Sequence, residues 1–393
     1  MFNFVDFLLE AEDKEGAKLK HIHHAEDRPL MHGSEGFTHA HGALTQAHEH
    51  MKSGKKSSAL TMKYDGSPSV VYGHHPENGK FFVASKSAFN KNPKLNYSHA
   101  DIEKNHGHAP GLVDKLKSAL DHLPKVAPKK GVYQGDIMHS GDVEHKKSGD
   151  VSFKPNTITY TAKGDQAKAH KDAKLGVVTH TKYEGKNMAS MKATPHVSDS
   201  EFNKSPDVAH HTAEHDTSKI SYPASAQKKF QSHMDSAKAI HDTHGDKMYN
   251  AVHPEHKGEN SHMTTYINST VKNDEKPSAE GFQKHITSQG EKAAAKVKTE
   301  KSQEAKRSAA ASQVAHVEAN KEHYSNLFSM HHHLQQAKNT LVKHLETHEG
   351  GYEHHINGTK SKPEGFVVNH KDEPTKLVNR SEFAKANLLK VKK

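Results

Sequence analysis

The 393-residue chain contains no cysteine and no tryptophan. The first absence excludes disulfides, thiolate zinc sites and cysteine nucleophiles. The second removes the largest platform on which an exposed nucleobase could stack. Arginine is nearly absent as well, with only Arg28, Arg307 and Arg380. Planar forks for phosphate or guanine are therefore few, and the basic charge is almost all lysine. No run of about 18 apolar residues is present, which excludes a hydrophobic membrane-spanning helix. The opening MFNFVDFLLEAEDKEG lacks a basic start and a small-residue cleavage site, so no secretory leader is expected and the chain reads as cytoplasmic. Hydrophobic residues make up 32% and the mean hydropathy is -0.94. That suffices for one modest core with exposed or extended helical parts around it.

Charge and histidine are abundant. The formal net charge is +9 with a pI of about 9.2. A basic excess suits a polyanionic partner, nucleic acid or nucleotide first. Charge alone does not separate that from a merely soluble basic surface. The 39 histidines are expected to charge as pH falls toward about 6.

Texture divides the chain into four stretches: 1–56, helical; 57–185, rich in strands; 186–351, polar and mostly helical; and 352–393, strands and a closing helix. In the first, 2–12 has roughly helical spacing, and Phe37, Ala40, Ala43, Leu44 and Ala47 form a helical stripe that Gly54 ends. Between them, 21-HIHHAEDRPLMHG-33 sets His21 and His24 at i, i+3 beside Glu26 and Asp27, a metal site or a polar connector. In the second stretch, Ala59–Met62, Val70–Tyr72 and Phe81–Ala84 are short β-branched or aromatic runs split by turn chemistry. Leu112, Val113, Leu116, Ala119, Leu120 and Leu123 then form a helix that Pro124 stops. Gly131–Met138, Thr157–Ala162 and Lys174–Lys182 read as further strands. Residues 185–280 show weak periodicity and read as loop, mobile surface or poorly packed helix. The proline-free 282–348 reads as one long helix or a helical hairpin, with Tyr324, Leu327, Phe328, His331, Leu334, Leu341 and Leu345 on one face. Strand texture returns at 365-GFVVNH-370, before an Ala/Leu/Lys-rich helix. The histidine pairs at 74–75 and 210–211 and the triplet at 331–333 are expected to be exposed. The simplest topology is one α+β domain, antiparallel sheets with flanking helices, carrying a large helical insertion.

One stretch concentrates chemistry: 61-TMKYDGSPSVVYG-73. Two strand-like runs flank a turn, and Lys63 stands at the mouth of that turn. Asp65 and Gly66 bend the chain so that a phosphate can approach the backbone closely. A free lysine has a pKa of about 10.4 and is protonated at neutral pH. As a nucleophile it must lose that proton, helped by neighbouring cations or a metal. The plain alternative is a surface lysine beside a hairpin.

Lys63-Tyr64-Asp65-Gly66 resembles the first motif of the covalent nucleotidyltransferase superfamily, which contains ATP-dependent DNA ligases, RNA ligases and mRNA capping enzymes. In that family the motif lysine forms a phosphoramidate with the nucleotide. Other motifs follow in order. Ser85-Lys86 in FFVASKSAF is similar to a serine or threonine followed by a basic residue, with lysine where arginine is usual. Gly135-Asp136 in GVYQGDIM resembles the D-G-E strand motif with the shorter aspartate. Glu364-Gly365 in KPEGFVV matches E-G-x-V. Lys376 in TKLVNR resembles the first lysine of the final K-x-K motif, whose second lysine is missing and for which Arg380 is a partial substitute. The resemblance covers 57–185 and 352–380. HIHHAEDRPLMHG followed by the lysine motif also resembles uncharacterised ligase-like proteins of tailed phages, which would place a phage-encoded chain in the host cytoplasm.

The resemblance implies a ligase-type nucleotidyltransferase domain that uses ATP and Mg²⁺. Lys63 would be the nucleophile. Thr61, Asp65, Gly66, Lys86, Asp136, Glu364, Lys376 and Arg380 would bind the nucleotide, and Asp136 and Glu364 the metal. Lys376 would hold the α-phosphate, and Thr61 could contact adenine. The partner would be a nucleic acid with 5′-phosphate and 3′-hydroxyl ends. The separation of Asp136 from Glu364 is far longer than the family's usual connection. Too few residues follow Lys376 for the oligonucleotide-binding barrel of DNA ligases and capping enzymes. Both departures favour an RNA-ligase-like or nick-sealing enzyme. Two other readings stay open: an adenylyltransferase acting on another 5′-phosphate or a protein, and a non-catalytic nucleic-acid-binding or virion-associated protein on a ligase-like scaffold.

Overall fold

The structure, a computed structural model, describes residues 22–258 and 261–380. The spacing in 2–12, His21 and the stretch after Arg380 lie outside the described residues. The fold is mixed α+β, with mainly antiparallel sheets and flanking helices.

In chain order the elements begin with α1 (Arg28–Ser53), broken at Gly33 where φ is 58°. Next come β1 (Lys56–Lys63), β2 (Ser69–His74), β3 (Phe81–Ala84), α2 (His99–His106) and α3 (Pro110–His122). They are followed by β4 (Val132–His139), β5 (Glu144–His145), β6 (Val151–Phe153), β7 (Thr159–Ala162), α4 (Gly164–Lys171) and β8 (Leu175–Glu184). Then come β9 (Lys192–Thr194), β10 (Val208–Thr212) and β11 (Glu214–Asp216). Five helices form the next run: α5 (Ala224–Ala251), α6 (His262–Asn273), α7 (Ala279–Ala294), α8 (Glu300–Ala319) and α9 (Lys321–Leu345). The described chain ends with β12 (Tyr352–Ile356), β13 (Thr359–Ser361), β14 (Gly365–His370) and β15 (Glu373–Leu377).

Two compact units result. The first contains Ser53–Ile220 and Leu345–Pro374. Its described strands form three sheets, ordered β11-β1-β14-β15, β10-β8-β4-β2-β3 with β9 on β8, and β13-β12-β7-β6-β5. The β10–β8 pair is parallel, while β2–β3, β2–β4 and β4–β8 are antiparallel. The second sheet is buried on both faces, and strand alternation sends successive residues to opposite cores. From β2, Val70 and Tyr72 join a core with Ile102, Val113 and Leu116 of α2 and α3. Val71, between them, joins Phe82, Tyr183, Met188 and Met191.

The second unit contains His23–Lys52, Ser221–His344 and, among the described residues, Thr375–Arg380. The boundary falls inside β15. Tyr324, Leu327, Phe328, Leu334 and Leu341 of α9 are all buried, at spacings of three, four and seven that keep them on one helical face. The ring of Phe282 on α7 lies 5.4 Å from that of Tyr266 on α6 and 5.9 Å from that of Phe328. Ser261, Ser278 and Thr299 cap α6, α7 and α8 by accepting backbone N–H bonds.

Two expectations differ from what is found. The described residues of 185–280 form regular elements: β9 to β11 belong to the first unit, and α5 and α6 to the second. Their burial is carried mainly by alanine, methionine and valine set among lysine, histidine and serine, which flattens the hydrophobic period. Residues 282–348 form three helices, not one or two, with breaks at the Thr299 cap and at Asn320. Among the described residues no helix is long and apolar enough to cross a membrane.

Candidate active site

The register of two strands assembles the centre of the site. β1 runs antiparallel to β14, with Lys63 opposite Gly365. Glu364 therefore stands beside the end of β1, and the Lys63 Nζ donates to Glu364 Oε1. The two side chains remain 29% and 15% exposed.

The loop after Lys63 is pinned from several sides. Asp65 accepts from Asn156 Nδ2 at 2.9 Å and from the backbone N–H groups of Thr157 and Ile158 at 2.7 and 2.9 Å. Its own N–H donates to the Tyr160 hydroxyl at 2.7 Å. Ser67 donates its N–H to the Ile137 carbonyl at 2.9 Å, and its carbonyl accepts from Lys115 Nζ at 2.7 Å. Gly66 lies so close to β4 that an added Cβ would sit 2.4 Å from the Cβ of Asp136. Glycine is required here by space, and the contact brings Asp136 up against the loop.

Charge follows from this geometry. Burial pushes the Lys63 ammonium toward lower pKa. Glu364, through both its charge and its hydrogen bond, together with Asp136 and Asp65, pushes it up, and the net shift is upward. Lys63 in this state is an ammonium held by carboxylates. Lys86, half-exposed, is pulled down by burial with Asp136 opposing. His180 on β8 has its Nε2 3.7 Å from Asp136 Oδ1.

Behind Lys63, the buried Tyr64 ring meets His211 and Tyr352 edge-on. The Nε2 atoms of His170 and His211 each lie 2.9 Å from the Tyr352 hydroxyl, and His170 is bonded to His139 at 2.8 Å. Burial pushes His139 down to about 4 and His170 to about 2. These imidazoles stay neutral at pH 6, against the expectation drawn from composition, because burial disfavours the charged form.

Thus Lys63, Asp65, Gly66, Lys86, Asp136 and Glu364 form one neighbourhood. Thr61 is buried on β1 and donates its hydroxyl to the Val367 carbonyl at 3.3 Å, which is a link to β14 rather than a group presented to a base. Lys376 and Arg380 fall in the second unit. There Arg380 is committed to Asp27 at 2.9 and 3.0 Å and to Asn268 at 2.5 Å, and the Lys376 N–H donates to the His23 carbonyl at 2.9 Å. His180, Lys115, Asn156 and Tyr160 were not singled out by sequence. They belong to no local motif, and only the pairing of strands brings them to the loop.

Of the candidate metal set, His21 lies outside the described residues, and Glu26 and Asp27 are engaged by other side chains. Glu26 accepts from Lys338, and Asp27 pairs with Arg380 and with His331 at 3.0 Å. Among the described residues no group of three or more histidine or acidic side chains is placed to hold a metal. His331 is fully buried, not exposed, because it supplies a partner to Asp27.

Fold and site together define a mixed α+β chain with an accessible lysine set among carboxylates. By sequence the chain belongs to a family of unknown function, DUF6267, which matches it over residues 19–392. No curated protein and no solved structure matches it.

Proposed function

We propose that the protein is an ATP-dependent covalent nucleotidyltransferase of the polynucleotide-ligase type, with RNA preferred to DNA. The observation that carries this reading is Lys63, placed by the β1–β14 register against Glu364 with Asp136 nearby. The ordered series of motifs around these residues supports it.

In the first step Lys63 Nζ attacks the α-phosphorus of ATP. An N–P bond forms, the bond to the bridging oxygen breaks, and pyrophosphate leaves. Nζ must first shed a proton to solvent, against the pull of the Glu364 carboxylate that holds the ammonium. In the second step an oxygen of a 5′-phosphate attacks the same phosphorus, the N–P bond breaks, and the amine is restored. A 3′-hydroxyl then attacks the activated 5′-phosphate, and AMP leaves. The loop pinned through Asp65 and Ser67 holds Lys63 in place, so its contribution is positioning. Bound with the triphosphate, Mg²⁺ would supply positive charge against the charge developing on the phosphoryl oxygens. Glu364 and Asp136, two carboxylates that both act on Lys63, would hold it, with phosphate and water completing its shell.

The test is intact-mass spectrometry after incubation with ATP and Mg²⁺. Wild type should gain one AMP and Lys63→Ala none. The closed Lys63–Glu364 pair also suits a non-catalytic polynucleotide-binding or virion-associated protein. Folded wild type that takes up no nucleotide from any triphosphate would leave only that second reading.

A further inference from the structure

The α7–α8 hairpin uses its surface sparingly. Of α8, only Ala310 and Val317 are buried. The two helices approach closely, since a Cβ at Gly290 would stand 2.5 Å from the Cβ of Ala310. The turn between them is fastened by the Thr299 cap and by Gln303 Nε2 donating to the Val297 carbonyl at 3.1 Å. This end of the hairpin, the turn and the first half of α8, is largely exposed.

That end is basic. Residues 291–307 contain six cations and three anions. Arg307 is paired with Glu291 at 3.1 Å. Lys292, Lys296, Lys298, Lys301 and Lys306 are exposed, and none makes an ion pair among the described residues. Other lysines of the chain do pair, such as Lys321 with Glu280 and Lys182 with Glu201.

We propose that this end of the hairpin is a docking surface for the phosphate backbone of a polynucleotide. Lysines act on phosphates as point charges without reading base edges. The residues between them are alanine, serine, threonine, glutamine and the exposed Glu300 and Glu304, with Val297 only half-exposed, so the five lysines outnumber the two interleaved carboxylates. A helix that lies on a membrane would show Trp, Phe or Leu here, and a protein hot spot would show Trp, Tyr or Arg. The tip has only the paired Arg307 and no aromatic ring, so base stacking is also excluded. What remains is sequence-independent attraction to phosphodiesters. The inference rests on the polynucleotide reading of the partner, but not on chemistry at Lys63.

The experiment titrates labelled single-stranded RNA and labelled duplex DNA with the full chain. Five phosphate contacts predict a loss of affinity on the order of 10²–10³-fold between about 50 and 200 mM salt. Changing all five lysines to glutamine should weaken binding at least about ten-fold at the lower salt and flatten the salt slope. Changing them to arginine should keep both. The sites are exposed, so an unchanged thermal transition confirms that the variant is folded. Binding to one of the two polymers alone names the source. Unchanged affinity and slope in the glutamine variant would overturn the proposal, as would binding of anionic vesicles but of neither polymer. Lys63→Ala should bind as wild type, and the glutamine variant should still take up AMP. Failure of nucleotidyl transfer is thereby separable from failure of the docking surface.

Discussion

Two lysine–glutamate pairs share residue types and little else. Lys338 and Glu26, in the second unit, are wholly buried at 0% each. Lys63 and Glu364, in the first, stay within reach of solvent. At Lys338 burial lowers the ammonium pKa more than Glu26 raises it, and the nearby Arg380 adds to the lowering. At Lys63 burial is outweighed by Glu364, Asp136 and Asp65. The deciding factor is the local balance of charge. In the buried network Glu26 and Asp27 face Lys338 and Arg380, so the charges cancel. The charges that act most on Lys63 are all carboxylates, Glu364, Asp136 and Asp65, with no second cation among them.

The first way to break this comparison is to remove one carboxylate of the buried pair. Glu26→Ala strands the Lys338 ammonium and should cost about 3–5 kcal/mol. The double change Glu26→Leu with Lys338→Met should recover most of that loss, because a buried ion pair is often no better than apolar packing. Urea unfolding of the three proteins measures both effects. Lys63→Ala should cost less than Glu26→Ala in the same assay, because its pair keeps 29% and 15% exposure where Lys338 and Glu26 are wholly buried. Equal losses at the two sites would erase the distinction.

A smaller effect sharpens the same contrast at the active loop. Gly66→Ala forces a methyl group against the Cβ of Asp136. The loop must shift, with a stability cost of about 1–3 kcal/mol and a disproportionate loss of AMP uptake, read by thermal melting and intact mass. Lys63→Arg should be smaller still in stability, since it keeps the positive charge. It should nonetheless abolish the adduct, because a guanidinium is not deprotonated in proteins. An arginine variant that still carries AMP would place the nucleophile elsewhere.

These residues also mark what the sequence could disclose. K-x-D-G and E-G are local motifs, and strand composition on either side was enough to place Lys63 and Glu364 at strand ends. Their meeting depends on the β1–β14 register, which the strand patterns allow but do not state. Asp65 shows the limit: its carboxylate is used to hold Asn156, Thr157 and Ile158, partners set by the return of the chain at β7. Arg380 and His331 were hidden for a similar reason, since their partner Asp27 lies more than three hundred residues away in the chain. Histidine obscured the rest. In β10, VAHHT buries its ends and half-buries two imidazoles, so a polar-looking segment is a strand.

The finest test of the comparison is the pH profile of adduct formation. Only the neutral Lys63 amine attacks. Its folded-state pKa is raised, so the single-turnover rate should climb about ten-fold per pH unit through neutral and mildly alkaline pH, in step with the neutral fraction. Glu364→Gln removes the largest of the raising influences. The profile should then bend at lower pH, even if the plateau falls because a carboxylate for the metal is lost. The same linkage acts on stability with opposite signs at the two lysines. Lys63, with a raised pKa, stabilises the fold fully below the unfolded value of about 10.4 and loses that contribution as pH rises through its folded value. Lys338, with a lowered pKa, contributes stability above the unfolded value and loses it as pH falls through its folded value. In the alkaline range Glu364→Gln should therefore lose less stability than wild type as pH rises. A bend that stays put in Glu364→Gln would mean that Glu364 does not hold the Lys63 proton, and the carboxylate setting would no longer explain why this lysine differs from Lys338.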